Sequence, residues 1–196
     1  MELGQTRRLN FPLLHVWEAL NDSDVLQRCL PGCESMVETG LHAYEVQMTA
    51  AVGPVRAKFK GSLKLTDIVV MQSYTVLFEG HGGAAGFAKG SAEVALESED
   101  EDDSTLLHYT ARATVGGKLA QVGSRLVGAA AEKVAADFFG RLDDVLAERH
   151  PPPALTEALT EAATSNPPAA TEPGPSLWLR FRTWLARLFS AGGSRN

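Results

Sequence analysis

The chain reads as an α+β domain in which a curved antiparallel sheet wraps one long helix, with a tether and a separate terminal segment behind it. Three observations predict this. Apolar residues alternate with polar ones in five stretches between residues 43 and 115. From Lys118 to about Glu148 the spacing changes to the three-and-four rhythm of a helix. A stretch rich in proline and alanine then separates this region from the last residues of the chain.

Taken in order, Glu2–Leu9 reads as a strand ending before Phe11-Pro12. LLHVWEAL places Leu13, Val16, Trp17 and Leu20 at helical spacing, and Asn21-Asp22-Ser23 offers a cap for a second short helix, DVLQRCL, stopped at Pro31-Gly32. In AYEVQMTAAV the residues Tyr44, Val46, Met48, Ala50 and Val52 share a face. In VRAKFKGSLKL, Val55, Ala57, Phe59, Leu63 and Leu65 face one way, and Arg56, Lys58, Lys60 and Lys64 face the other. SYTVLFEG, SAEVALE and LLHYTARATV follow as strands, with turns at Gly53-Pro54, Met71-Gln72-Ser73 and the acidic run ESEDEDD. The closing helix carries Leu119, Val122, Leu126, Ala130, Val134, Phe138, Leu142 and Val145 as its apolar stripe. Its glycines and alanines leave room beside it, and a sheet bent around such a helix tends to enclose a cavity.

Residues 149–175 hold seven of the ten prolines and no aromatic, so they cannot bury enough apolar surface to offset their ordering entropy. The expected organisation is a folded domain at 1–148, a flexible linker at 149–175 and a tail at 176–196. A net charge of −6 argues against a general nucleic-acid binder. The N-terminus shows no secretory signal pattern. The two cysteines, Cys29 and Cys33, lack redox or zinc spacing and read as idle thiols in a reducing cytoplasm.

Several motifs occur together in this order: RCLPGCE after the second helix, VGPVRAKFKG, HGGAAGFAKGSAEV, and VGGKLAQVGSRL opening the long helix. Over residues 1 to about 148 the chain resembles the CoxG family of carbon monoxide dehydrogenase subunits, helix-grip domains of the START and polyketide-cyclase group. The resemblance implies a helix-grip fold with a hydrophobic cavity between sheet and long helix. It also implies a non-catalytic companion of a molybdenum hydroxylase such as carbon monoxide dehydrogenase, one that holds the enzyme at the cytoplasmic membrane and handles respiratory quinone. It supplies no catalytic residues, no metal ligands and no covalently bound cofactor.

Gly80-His81-Gly82-Gly83-Ala84-Ala85 satisfies a loosened dinucleotide fingerprint, but the residues after it alternate as a strand, so no helix N-terminus is available for a pyrophosphate. Its glycines read instead as a bent turn or a gap in a ligand-binding wall. Phe87 beside them is either a gate or a core plug. His81 is either a hydrogen-bond partner for a quinone carbonyl or a solvated loop residue. Expected cavity residues are Phe59, Leu63, Phe78, Phe87 and Tyr109 from the strands, with Val122, Leu126, Val134 and Phe138 from the helix. None is charged, which favours a large apolar ligand. The stripe of Arg56, Lys58, Lys60 and Lys64 is either a solvated face or a docking surface for anionic lipid or for the dehydrogenase.

The tail, SLWLRFRTWLARLF, holds two of the three tryptophans and no acid. On a helical wheel Leu177, Trp178, Phe181, Trp184, Leu185, Leu188 and Phe189 gather on one side. Arg180 and Arg187 take the far side, Arg182 borders the apolar arc, and Leu179 is the misfit. The segment is too short and charged to span a bilayer, but it suits a helix lying in an anionic interface. Folding back onto the domain or docking on a protein is the alternative. The expected function is a peripheral protein on the inner face of the cytoplasmic membrane that recruits the hydroxylase and carries quinone. The alternatives are a START-like enzyme acting on a lipid or polyketide, and an adaptor with a solid core.

Overall fold

The structure, a computed structural model, describes residues 1–99 and 103–151. The linker beyond Pro151 and the expected membrane-binding tail lie outside the described residues. The strands are β1 (Glu2–Leu9), β2 (Cys33–Gly40), β3 (Ala43–Val52), β4 (Val55–Val69), β5 (Ser73–His81), β6 (Phe87–Glu99) and β7 (Ser104–Gly116). The helices are α1 (Leu13–Leu20), α2 (Ser23–Cys29), α3 (Lys118–Gln121) and α4 (Ser124–Arg149), and one 3-10 turn spans Gly83–Ala85. The strands form a single seven-stranded sheet in the order β1-β7-β6-β5-β4-β3-β2, antiparallel throughout. This is the α+β helix-grip architecture the periodicities predicted.

Register assigns the faces. Leu63 stands opposite both Tyr44 and Phe78, Val94 opposite both Tyr74 and Tyr109, and Leu96 opposite Leu107. These residues and every second neighbour along each strand make the concave face. Arg56, Lys58, Lys60 and Lys64 alternate onto the convex face. The sheet coils tightly where glycines allow it: a Cβ on Gly61 would stand 1.9 Å from the Glu79 carbonyl oxygen, and one on Gly90 2.0 Å from that of Arg112.

Two elements differ from the expectation. β2 carries no clear alternation, because as an edge strand it buries one residue, Met36, and its pairing with β3 slips at Cys33/Ser35 and Glu38/Gly40. The single helix expected from Lys118 is two. Gly123 takes φ +91°, a conformation open to glycine, so α3 ends at Gln121 and α4 starts afresh at Ser124. Of the expected stripe Leu119, Leu142 and Val145 are buried, and α4 also buries Val127, Phe139 and Leu146.

The main core gathers at one end of the sheet, where Leu9, Val16, Val25, Leu107, Leu142 and Leu146 are almost fully buried. Each such side chain contributes about 1.5–3 kcal/mol relative to exposure. Asp22 ties three elements together there. Its carboxylate caps α2 by accepting from the Asp24 and Val25 N–H groups at 2.9 and 3.2 Å, and Arg149 at the end of α4 reaches it at 2.9 Å. Burial opposes ionisation of Asp22, but the Arg149 hydrogen bond, the two backbone N–H groups and the Arg149 charge outweigh it and hold the carboxyl below its ordinary range. Cys29 is buried and Cys33 half-buried; both thiols are free, and burial raises the pKa of each. No described helix is long and apolar enough to cross a membrane.

Candidate functional site

The concave face is packed at both ends and less deeply buried between them. At one end stands the main core, joined by a small cluster of Leu26, Met36 and Tyr44 that draws in Leu63 and Phe138. At the other, Phe59, Ala85 and Leu119 form a cluster that holds the 3-10 turn and α3 against the ends of β3, β4 and β7. Between them the side chains aimed at α4 remain half-buried: Val46, Leu63, Phe78, Ala92, Ala111 and Ala113. Above this floor the first half of α4 runs SRLVGAAAEKVAA, in which only Val127 is buried. With small residues on both walls, this incompletely buried apolar stretch of the concave face is the candidate hollow.

The alternation of the strands brings Phe59, Leu63, Phe78 and Tyr109 to the concave side, as expected. Phe78 forms the floor, with Cζ 2.9 Å from where a Cβ on Gly90 would lie. Phe138 borders the hollow from α4, edge-on to Phe139 with ring centroids 5.3 Å apart. Val122 is half-buried at the junction of α3 and α4.

Four other expected residues stand elsewhere. Phe87 pairs in register with His81 and Gly116, one residue out of phase with the concave row of Gly80, Ala88 and Val115, and its ring lies over Gly116 on the convex side. Phe87 is neither a gate nor a core plug of the hollow. His81 is exposed on the same side, its Nε2 2.9 Å from Glu79 Oε1, two residues along the strand. It points away from the hollow and has no access to a ligand there. Leu126 and Val134 are 45% and 37% exposed, outside the buried set of α4.

The polar group on the concave side comes from a place the sequence reading passed over, the inward positions of edge strand β1. Gln5 stands opposite Tyr109, whose hydroxyl donates to Gln5 Oε1 at 3.4 Å. Arg7, two residues on, reaches Asp143 at 3.7 Å and lies over the Phe139 ring at 5.7 Å. Burial raises the pKa of Tyr109, and of Asp143 despite the Arg7 charge beside it. The signal was available: Leu3, Gln5, Arg7 and Leu9 share one face of β1, and a charged residue on the inner face of an edge strand departs from the apolar pattern.

Two further depressions lie outside the hollow. A shallow groove of about 1000 Å³ crosses the convex face past Lys64, Leu77, Glu79, Lys89 and Arg112. A cleft of about 490 Å³ lies between α2 and α4, lined by Asp24, Gln27, Arg28 and Arg141 among others. Both are open and have charged linings, unsuited to a greasy ligand. Among the described residues no group of three or more His, Cys, Asp or Glu is placed to hold a metal ion.

The fold recurs widely among solved structures. A conserved protein from Geobacillus kaustophilus is 29% identical, with a TM-score of 0.71, over 76% of this chain and 96% of its own. A START superfamily protein from Mycobacterium smegmatis, 10% identical, matches with a TM-score of 0.58 over 75% of this chain and 97% of its own. The Zhui aromatase/cyclase of Streptomyces sp. R1128, 14% identical, matches at 0.56 over 76% and 94%. These last two likenesses show the fold alone. No curated protein sequence matches the chain. The family model for the carbon monoxide dehydrogenase G subunit (CoxG) matches residues 7–147, from the end of β1 through nearly all of α4, and the chain therefore belongs to the CoxG family, by name an accessory subunit.

Proposed function

We propose that this protein is a non-catalytic carrier and recruiter: it holds a respiratory quinone in the hollow and brings a molybdenum hydroxylase of the carbon monoxide dehydrogenase type to the cytoplasmic membrane. The single observation that carries the reading is the half-buried apolar floor beneath an alanine- and glycine-rich stretch of helix. A flat ring with a prenyl chain is the kind of ligand such a slot accepts, because its burial recovers the hydrophobic energy that the small lining residues leave unused. The Tyr109 hydroxyl and the Gln5 amide are the groups proposed to meet the ring carbonyls, in place of His81. The arginine-rich amphipathic tail is the proposed membrane contact.

One observation favours a second reading. Tyr109, Arg7 and Asp143 provide acid–base material near the floor, and a catalyst acting on a lipid or polyketide would use them. Mass spectrometry of lipid extracted from the protein purified out of native membranes separates the readings. Intact quinone in stoichiometric amount is the expected result, and conversion of an added lipid substrate would point to catalysis. Protein that returns no lipid, even after incubation with quinone-loaded vesicles, would leave only an adaptor.

A further inference from the structure

We infer that the end of the domain formed by the β3–β4 turn, the 3-10 turn and the α3–α4 junction is a docking surface for anionic lipid headgroups, which sets the start of α4 against the bilayer. That the hollow then opens toward lipid rests on the quinone reading; the docking itself does not.

The warrant is the distribution of charge. Three chain segments build this end, 46–61, 80–92 and 113–131, and none contains an acid, although the chain has 24. They hold six cations: Arg56, Lys58, Lys60, Lys89, Lys118 and Arg125. The turns at the opposite end carry Glu38, Asp67, Glu97, Glu99 and Asp103, with Asp22 and Asp24 nearby on the helices.

Pairing follows the same division. Toward the acidic end and along the β1 edge, Arg7, Arg28, Arg112 and Arg149 meet carboxylates. At the acid-free end Lys58 alone is neutralised, by Glu34 reaching across from β2 at 2.9 Å. Arg56, Lys60, Lys118 and Arg125 have no ion pair among the described residues. Unpaired, exposed cations of one sign are what a surface of phosphates neutralises.

Apolar material stands among them. Leu126, next to Arg125, is 45% exposed, and its Cδ1 lies 3.2 Å from where a Cβ would stand on Gly53 in the β3–β4 turn, beside exposed Pro54. An apolar tip ringed by cations suits the headgroup layer, where the side chain meets acyl carbons while the cations stay with phosphates. Each cation near an anionic surface strengthens binding about five-fold.

The test uses the full chain with Cys33→Ser, Cys29 being fully buried, and a solvatochromic dye on Leu126→Cys or, at the opposite end, on Leu41→Cys, a position 82% exposed. Vesicles of phosphatidylcholine, alone or mixed with phosphatidylglycerol, are added without quinone. The expected result is a blue shift at position 126 on mixed vesicles only, none at 41, and loss of the shift in Arg56→Glu/Lys60→Glu/Lys118→Glu/Arg125→Glu while the protein still sediments through its tail. Circular dichroism checks that this variant folds, and the corresponding glutamine variant gives an intermediate shift. The proposal is overturned by sedimentation without a shift at 126, by equal shifts at both positions, by a shift on phosphatidylcholine alone, or by one needing an added acidic protein. Because quinone is absent, failure here leaves the carrier reading intact, and failure to extract quinone leaves docking intact.

Discussion

Phe78 and Phe87 lie on neighbouring strands and face opposite ways, and that difference decides what each does. Phe78 is part of the hollow's floor, whereas Phe87 covers Gly116 on the convex surface. Both were readable as large apolar residues near a glycine-rich turn. Their faces were not, because the 3-10 turn at Gly83–Ala85 resets the phase between β5 and β6 and no local signal states the register that results. Enlarging the floor residue Ala92 to Phe is expected to lower the quinone recovered per protein by at least ten-fold with little change in thermal midpoint. Phe87→Ala and His81→Ala are expected to leave recovery unchanged; lipid extraction followed by mass spectrometry checks all three. Asp22 gives a second test. Its carboxyl titrates below the usual value in the folded state, so the stability it contributes is present above the unfolded value of 3.8 and disappears as pH falls through the folded one. Asp22→Ala is expected to cost about 1 kcal/mol at neutral pH, the usual worth of an N-cap. The gap to wild type should narrow in acid, as read by urea midpoints along a pH series.

At the scale of elements, the alternating stretches gave the strands of the sheet's middle because each has one buried face, which a period of two reports directly. β2 escaped because Met36 is its one buried residue, and a single apolar position has no period. The α3–α4 break escaped for a different reason. Gly123, Gly128 and Gly140 look alike in sequence, yet Gly123 alone has positive φ and ends a helix. A side chain at Gly140 would meet nothing within 4 Å on an otherwise regular helix. Gly140→Ala is therefore expected to stabilise the domain by about 0.5–1 kcal/mol, and Gly123→Ala to destabilise it by at least about 1 kcal/mol, both measured by chemical denaturation. Equal effects from the two would mean that α4 runs unbroken from Lys118. Of the four site residues found elsewhere, a strand register turned Phe87 and His81, while Leu126 and Val134 are left exposed by tertiary packing that helical period does not report.

For the whole molecule, composition divides the chain into domain, tether and tail, and the chain beyond Pro151 lies outside the described residues. Removing residues 176–196 is expected to release most of the protein from phosphatidylglycerol-containing vesicles in a sedimentation assay while leaving the domain's circular dichroism intact; undiminished binding would show that the tail is not the main contact. The other large-scale property, acids at one extremity and unmatched cations at the other, makes the domain a permanent electric dipole. β4 has 15 residues and, at about 3.3 Å each, is roughly 50 Å long, several times the screening length of about 8 Å in physiological salt. A charged plane therefore acts almost entirely on the nearer pole. A molecule arriving with its acidic pole first is turned away, and one arriving the other way is drawn in, so productive orientation is selected during the final nanometre of approach. Raising ionic strength should then reduce the rate of capture more than it shortens the residence of molecules already seated.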